Sequence, residues 1–235
     1  MILITRLKEQ SKDLNALLIK KGYKTFQESF YDIQYYKNKI FYDKNNYYIF
    51  PSIHSVRSLI NSNQLYKFKD ANIFTIGEKV KNYLLKSGCT NIIATSIDSE
   101  SLLKILSKRK FLKINLIYLC SNIINKDFLI KARKYKINIK IKIIYKTIPT
   151  KSLSKQLIHN LRIKKITAIL FYSKLSADNF LDLISKYKIF NDVKKIHLIC
   201  ISDRVAKSFN KNKFKNIHIS RKPNQMSLIE IIKDN

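Results

Sequence analysis

Glycine is nearly missing from this chain: 3 in 235 residues, alongside 3 prolines, 3 cysteines and no tryptophan. So little glycine excludes the Gly-rich phosphate loops. Neither GxGxxG nor GxxxxGK followed by Ser or Thr occurs, and Gly77 stands alone at a strand-to-helix turn. Cys89, Cys120 and Cys200 are odd in number and far apart, which excludes a disulfide framework and a CxxC metal pattern; they read as buried, reduced thiols. His54, His159, His197 and His218 are separated by long stretches, so no metal cluster or catalytic triad is predicted, and these histidines read as core or surface residues. No apolar run reaches the ~18 residues of a membrane span. The chain passes directly from an apolar strand to Arg6, Lys8 and Glu9, without the basic-then-apolar pattern of a signal peptide, so a cytoplasmic location is expected.

Acid is scarce too. Asp and Glu total 16 against 46 Lys and Arg, a formal charge of +30. Such an excess ordinarily points to nucleic acid. Here nearly all of it is lysine, arriving with abundant Asn, Ile, Tyr and Phe, the residues of A/T-rich codons, while glycine and tryptophan have eroded. Arginine, the better phosphate fork, is scattered at positions such as Arg6, Arg57 and Arg204, and the lysines form no stripe. Codon bias is the better account of the charge, although the field still attracts any polyanionic ligand.

What is present is enough apolar material for real cores: 46% hydrophobic residues and 11% aromatics. The chain is organised around Asn72–Leu106, which reads as strand (Ile73–Ile76), turn at Gly77, helix ended by Gly88, strand (Ile92–Ala94) and a helix starting at Ser99. The unit recurs at His197–Ile232, where Ile199-Cys200-Ile201 matches the first strand, Ser202 replaces Gly77 and Ile217-His218-Ile219 matches the second strand. Two further pairs follow. Tyr48–Ser52 echoes Leu170–Ser173, and Ile2–Thr5 echoes Leu116–Leu119. Strands alternate with helices throughout, so two similar α/β halves with mainly parallel sheets are predicted. Lys24–Tyr31 reads as a strand running on into Asp32–Tyr36, Asn61–Asp70 as a loop, and Ile137–Tyr145 as a long alternating strand before a boundary at Pro149.

Open α/β sheets bind ligands at the carboxyl ends of their strands. The residues there are Thr5-Arg6, Pro51-Ser52, Gly77-Glu78-Lys79, Cys120-Ser121-Asn122, Ser173-Lys174 and Ser202-Asp203-Arg204, a set rich in hydroxyls and cations. Helix N-termini add N–H groups suited to carboxylates or phosphates. Tyr145 ends the longest alternating strand and puts a phenol at the junction between the halves; among 14 tyrosines, packing is the simpler reading of any one.

At this point the chain resembles the uroporphyrinogen-III synthase family, over nearly its whole length. The resemblance rests on Ile2–Arg6, Phe50-Pro51-Ser52 with Ser55-Val56, Ile76–Lys79, Ser99–Leu103, Ile144–Thr147, Phe171-Tyr172-Ser173 and Ser227-Leu228, in that order and spacing. It implies two α/β, flavodoxin-like domains joined by a two-stranded ladder, the second inserted into the first: residues 1–30 with 148–235, residues 37–138, and linker strands at 31–36 and 139–147. It implies a cofactor-free, monomeric cyclising lyase of heme biosynthesis, acting on the polycarboxylate tetrapyrrole hydroxymethylbilane, with no nucleic-acid or membrane partner. By resemblance Tyr145 is the catalytic phenol, and Thr5, Arg6, Ser52, Gly77, Lys79, Ser173, Ser202 and Arg204 bind substrate.

The chain also departs from the family pattern. Val80 and Val205 stand where threonine is usual, Ser202 where glycine is, Leu7 where proline is, Pro51 where threonine is, and Cys120-Ser121 where Arg-Gly is. Two other readings stay open on sequence alone: a basic nucleic-acid-binding protein, and a two-lobed small-ligand-binding protein.

Overall fold

Short runs of Ile, Leu, Phe and Tyr bracketed by Ser, Asn, Lys and the few glycines divide the chain into brief strands and amphipathic helices. The computed structural model describes residues 1–37, 39–108, 111, 113–124, 126–210, 213–222 and 224–233. In chain order the elements are β1 (Ile2–Ile4), α1 (Lys8–Lys20), β2 (Thr25–Gln27), β3 (Tyr31–Tyr35), β4 (Tyr47–Phe50), α2 (Ile53–Asn61), a 3-10 turn (Leu65–Phe68), β5 (Asn72–Ile76), α3 (Glu78–Lys86), β6 (Ile92–Ser96), α4 (Ser99–Leu106) and β7 (Leu116–Ser121). They continue as α5 (Lys126–Lys134), β8 (Ile139–Pro149), α6 (Lys155–Arg162), β9 (Ala168–Phe171), α7 (Lys174–Lys186), α8 (Phe190–Val193), β10 (His197–Cys200), α9 (Asp203–Ala206), β11 (Ile217–Ile219) and α10 (Gln225–Lys233).

The chain divides into two compact units, Met1–Asp32 with Ile148–Asn235, and Ile33–Thr147. The first holds a five-stranded sheet in the order β11-β10-β9-β1-β2, every described pair parallel. Its strands alternate between two cores. Leu3, Ile169, Phe171, Leu198 and Cys200 pack under α6, α7 and α9, while Ile2, Ile4, Leu170 and Ile199 pack against Leu14 and Leu18 of α1 and Leu228 of α10. Both faces being covered is what a parallel sheet requires.

The second unit holds a six-stranded sheet in the order β3-β8-β7-β4-β5-β6. Tyr48, Phe50, Ile73, Leu119 and Ile144 face α2 and α3, and Ile49, Phe74, Leu116, Tyr118 and Cys120 face α4 and α5. The duplication legible in the sequence reappears here as strand order. Matching β4 to β9, β5 to β10, β6 to β11 and β7 to β1 makes the two sheets run the same way. The register agrees as well: Ile4 lies opposite Leu170, and their counterparts Tyr118 and Ile49 lie opposite one another.

Three local expectations change. The continuous strand expected over Lys24–Tyr36 is broken at 28–30, because β2 belongs to the first sheet and β3 to the second. The expected loop Asn61–Asp70 contains the 3-10 turn, which forms to bury Leu65 and Phe68. The segment expected to be a connecting ladder is adjacent to its partner, but β8 also pairs in parallel with β7 from Ile139 to Tyr145 and so is a member of the second sheet.

All three glycines carry positive φ, Gly22 at 84°, Gly77 at 89° and Gly88 at 88°. Four other positions take the left-handed conformation without glycine: Asn63, Lys136, Lys164 and Lys188, at φ of 52° to 55°. Each follows a helix end, and the next residue's N–H reaches back to close the final turn, as in Ile137 N to Ala132 O at 3.0 Å and Ile189 N to Ile184 O at 3.0 Å.

Candidate active site

In the second unit the strand order reverses between β4 and β7, the position at which parallel α/β sheets open a crevice at their carboxyl ends. β4 ends at Phe50, and Ser52 caps α2: its extended backbone lets Oγ accept the His54 N–H at 3.2 Å. Two more serines of α2 stitch the helix to the sheet. Ser55 Oγ donates to the Leu119 carbonyl at 2.6 Å, and Ser58 Oγ donates to the Ile144 carbonyl. The serines recur at i, i+3 and i+6, so they share the helix face that meets the strand ends.

Tyr145 reaches this crevice through a fault in the ladder. β8 alternates normally at first, with Ile139 and Ile141 packing toward α4 and α5. Cys120 pairs with Ile143, but Ser121 pairs with Tyr145, so Ile144 is an extra residue. Such a bulge re-aims the side chain beyond it. Ile144 and Tyr145 consequently both pack on the α2 face, 2% and 6% exposed. The phenol lies among the hydroxyls of Ser52, Ser121 and Ser55. Burial pushes its pKa above the usual tyrosine value; hydrogen bonds from Ser52, then Ser121 and Ser55, oppose that rise, and the neighbouring Cys120 thiol adds to it. The phenol is therefore a neutral proton donor at pH 7. Ser121 and Ser55 spend their own protons on the carbonyls of Ile123 and Leu119.

Two residues that the sequence did not single out complete the cluster. Tyr35 Oη and His54 Nδ1 are 2.8 Å apart, and His54 is buried. The rings of Tyr35, His54 and Tyr145 lie 5.8 to 6.4 Å apart, centroid to centroid. The available signal was the position of His54, two residues beyond Ser52 at the carboxyl end of a strand.

The first unit reverses its strand order between β1 and β9. Thr5 is fully buried and donates to the Leu170 carbonyl at 2.7 Å, joining these two strands. The Arg6 guanidinium lies 4.6 Å above the ring of Tyr172, the next residue after β9. The Tyr172 hydroxyl is buried without a partner among the described residues, and burial raises its pKa while Arg6 opposes the rise. Ser173 caps α7 as Ser52 caps α2, accepting from Ser176 N at 3.1 Å and donating to Ser176 Oγ at 3.0 Å.

Gly77 and Ser202 occupy matching turns but not matching conformations. Gly77 sits at φ 89°, ψ 137°, with its N–H bound to Ser96 O at 2.7 Å. Ser202 is extended at φ −161° and makes no side-chain cap, and the helix it opens has only 4 residues against 9. Lys79 and Arg204 are exposed in the first turns of α3 and α9. The expected isolation of the histidines fails for one pair: adjacent strands bring His197 Nδ1 within 3.0 Å of His218 Nε2. All three thiols are buried, and burial lifts Cys89 to about 11 and Cys120 and Cys200 to about 12, too high for nucleophiles near neutral pH.

No curated protein sequence matches the chain. Among solved structures, that of uroporphyrinogen-III synthetase from Helicobacter pylori is similar at 17% identity and TM-score 0.66, covering 99% of this chain and 98% of that one. A mutant uroporphyrinogen III synthase from Thermus thermophilus is similar at 11% identity and TM-score 0.58, with 99% and 97% covered. These two likenesses establish the fold. Residues 11–230 match the family described as uroporphyrinogen-III synthase HemD, and the chain belongs to that family.

Proposed function

We propose that the chain is a uroporphyrinogen-III synthase, cyclising hydroxymethylbilane with inversion of ring D and loss of water, and that Tyr145 is its catalytic acid. The observation that carries this reading is the bulge in β8, which turns a buried neutral phenol into a pocket of serine hydroxyls at the strand-order reversal. Tyr145 delivers its proton to the departing hydroxyl, directly or through a water, and water leaves. Ring D then attacks through its substituted carbon to give a spiro intermediate, whose reopening and closure invert the ring. A phenol suits the proton delivery because it stays protonated at pH 7 and its conjugate base is stabilised by three adjacent O–H groups.

Arg6, Lys79, Arg204, Ser52, Ser173 and Ser202, with the backbone at Gly77, are assigned to the substrate's carboxylates. Cations and helix N-termini favour such groups. Thr5 supports this set from behind, since its hydroxyl is already bound to Leu170. The enzyme is further assigned to the cytoplasm as a monomer that takes no nucleic acid. Among the described residues no helix is long and apolar enough to cross a membrane. The deciding experiment supplies hydroxymethylbilane and separates the type III from the type I product. Accumulation of the type I isomer alone, as in the uncatalysed reaction, removes the assignment.

A further inference from the structure

We infer that Tyr35 and His54 form a positioning pair that aims the Tyr145 phenol during catalysis. This inference rests on the reading of Tyr145 given above. Neither residue is needed to close the sheet. Tyr35 is the last residue of β3, and His54 lies in the first turn of α2, yet their polar atoms meet at 2.8 Å. Tyr145 touches both rings, with centroids 6.4 Å from Tyr35 and 5.8 Å from His54, inside the range of aromatic contact. His54 is also tied to the socket by its backbone, because its N–H is the one that the Ser52 hydroxyl accepts. A rotation of the His54 ring therefore disturbs both a ring contact of Tyr145 and the serine that stands beside its hydroxyl.

The need for such a pair follows from the bulge. Tyr145 lies just past a local irregularity of the ladder, where backbone hydrogen bonds hold a side chain less firmly than in a regular strand. A proton donor has to be held within a fraction of an ångström of its target. The Tyr35–His54 bond fixes two rings from different elements with one contact, and so limits the swing of the third.

The test compares wild type with Tyr35→Phe, His54→Asn, His54→Gln and the Tyr35→Phe/His54→Gln double variant, measuring kcat, KM and type III yield with thermal midpoint as the fold control. Asparagine places a polar atom near the position of Nδ1, glutamine near that of Nε2. Tyr35→Phe and His54→Gln are expected to lower kcat ~10-fold or more with KM within about twofold, as for misplacement of a catalytic group. His54→Asn should retain most of the turnover, and the double variant should be no worse than Tyr35→Phe alone. Unchanged kcat in Tyr35→Phe, or fully multiplicative losses in the double variant, overturns the pair. If His54→Gln does not fold, Tyr35→Phe, which keeps the ring, decides alone. A wild type that makes only the type I isomer overturns the functional reading and this inference with it, whereas an active wild type with an unaffected Tyr35→Phe overturns the inference only.

Discussion

Ser121 stands opposite Tyr145, and not opposite Ile144, because the pairing of β7 with β8 slips by one residue beyond Cys120 and Ile143. In an unbroken ladder Tyr145 would share the face of Ile139 and Ile141 and lie under α4 and α5. The slip transfers the phenol to the serine-lined face. Replacing Tyr145 with Phe is expected to lower turnover ~10- to ~100-fold, at the low end of what a general acid contributes because water can substitute. Far-UV circular dichroism should be unchanged, and product analysis under substrate saturation reads the loss. Undiminished turnover would take Tyr145 out of the chemistry.

The serine that secures the slipped strand makes a second, separable prediction. Ser58 donates to the Ile144 carbonyl, which also accepts the Tyr36 N–H at 3.1 Å. Ser58→Ala leaves that carbonyl one partner, so the cost is expected at the lower end of the ~1–3 kcal/mol range for a buried hydrogen bond. A urea melt measures it, and no change in the midpoint would show that the bond adds nothing.

Lysines at left-handed positions give a prediction of the opposite sign. Lys136, Lys164 and Lys188 hold φ of 54° to 55° after helix ends. A Cβ in that region costs about 1–2 kcal/mol, part of which glycine returns through its freer unfolded chain. Each Lys→Gly change should therefore stabilise the protein by roughly 0.5–1 kcal/mol, read as a higher denaturation midpoint. Gly77→Ala should do the reverse by about 1–3 kcal/mol, because φ 89° with ψ 137° suits no L-residue, although no atom lies within 4 Å of the added methyl.

Alkaline pH tests the buried thiols. Cys89 is raised to about 11, Cys120 and Cys200 to about 12, from an ordinary 9.0, with burial the chief cause in each. A folded pKa above the unfolded one means that the unfolded chain releases its proton first. The associated stability is whole below pH 9 and is lost as pH rises toward the folded values, at up to about 1.4 kcal/mol per pH unit for each thiol. Between pH 9 and 11 the urea midpoint should fall, and Cys200→Ala should make that fall shallower. An equal slope in the variant would contradict the assignment to thiols.

Much of this was legible in the chain itself. The paired segments around Gly77 and Ser202, and around Ser52 and Ser173, announced two related sheets, because strand-end residues must recur wherever the same turn is built twice. The bulge was not legible: INIKIKIIY reads as plain alternation, and only the partner strand reveals which residue is surplus. The roles of Tyr35 and His54 were hidden for a related reason. They are 19 residues apart and meet only once β3 lies at the sheet edge beside β8. The shortness of α9 was equally out of reach, since it depends on the backbone angle at Ser202, which a lost glycine permits but does not dictate.

The interrupted first unit has a consequence for how the protein is made. β1 has its neighbour β9 some 165 residues downstream, as the Thr5 to Leu170 bond records, whereas all strands of the second unit are supplied within one continuous stretch. On the ribosome the inner segment is complete and able to close while β1, α1 and β2 still wait for a partner. The early-born strands must stay soluble through that interval, and a dense lysine coat is a ready means of keeping nascent chains from pairing with each other.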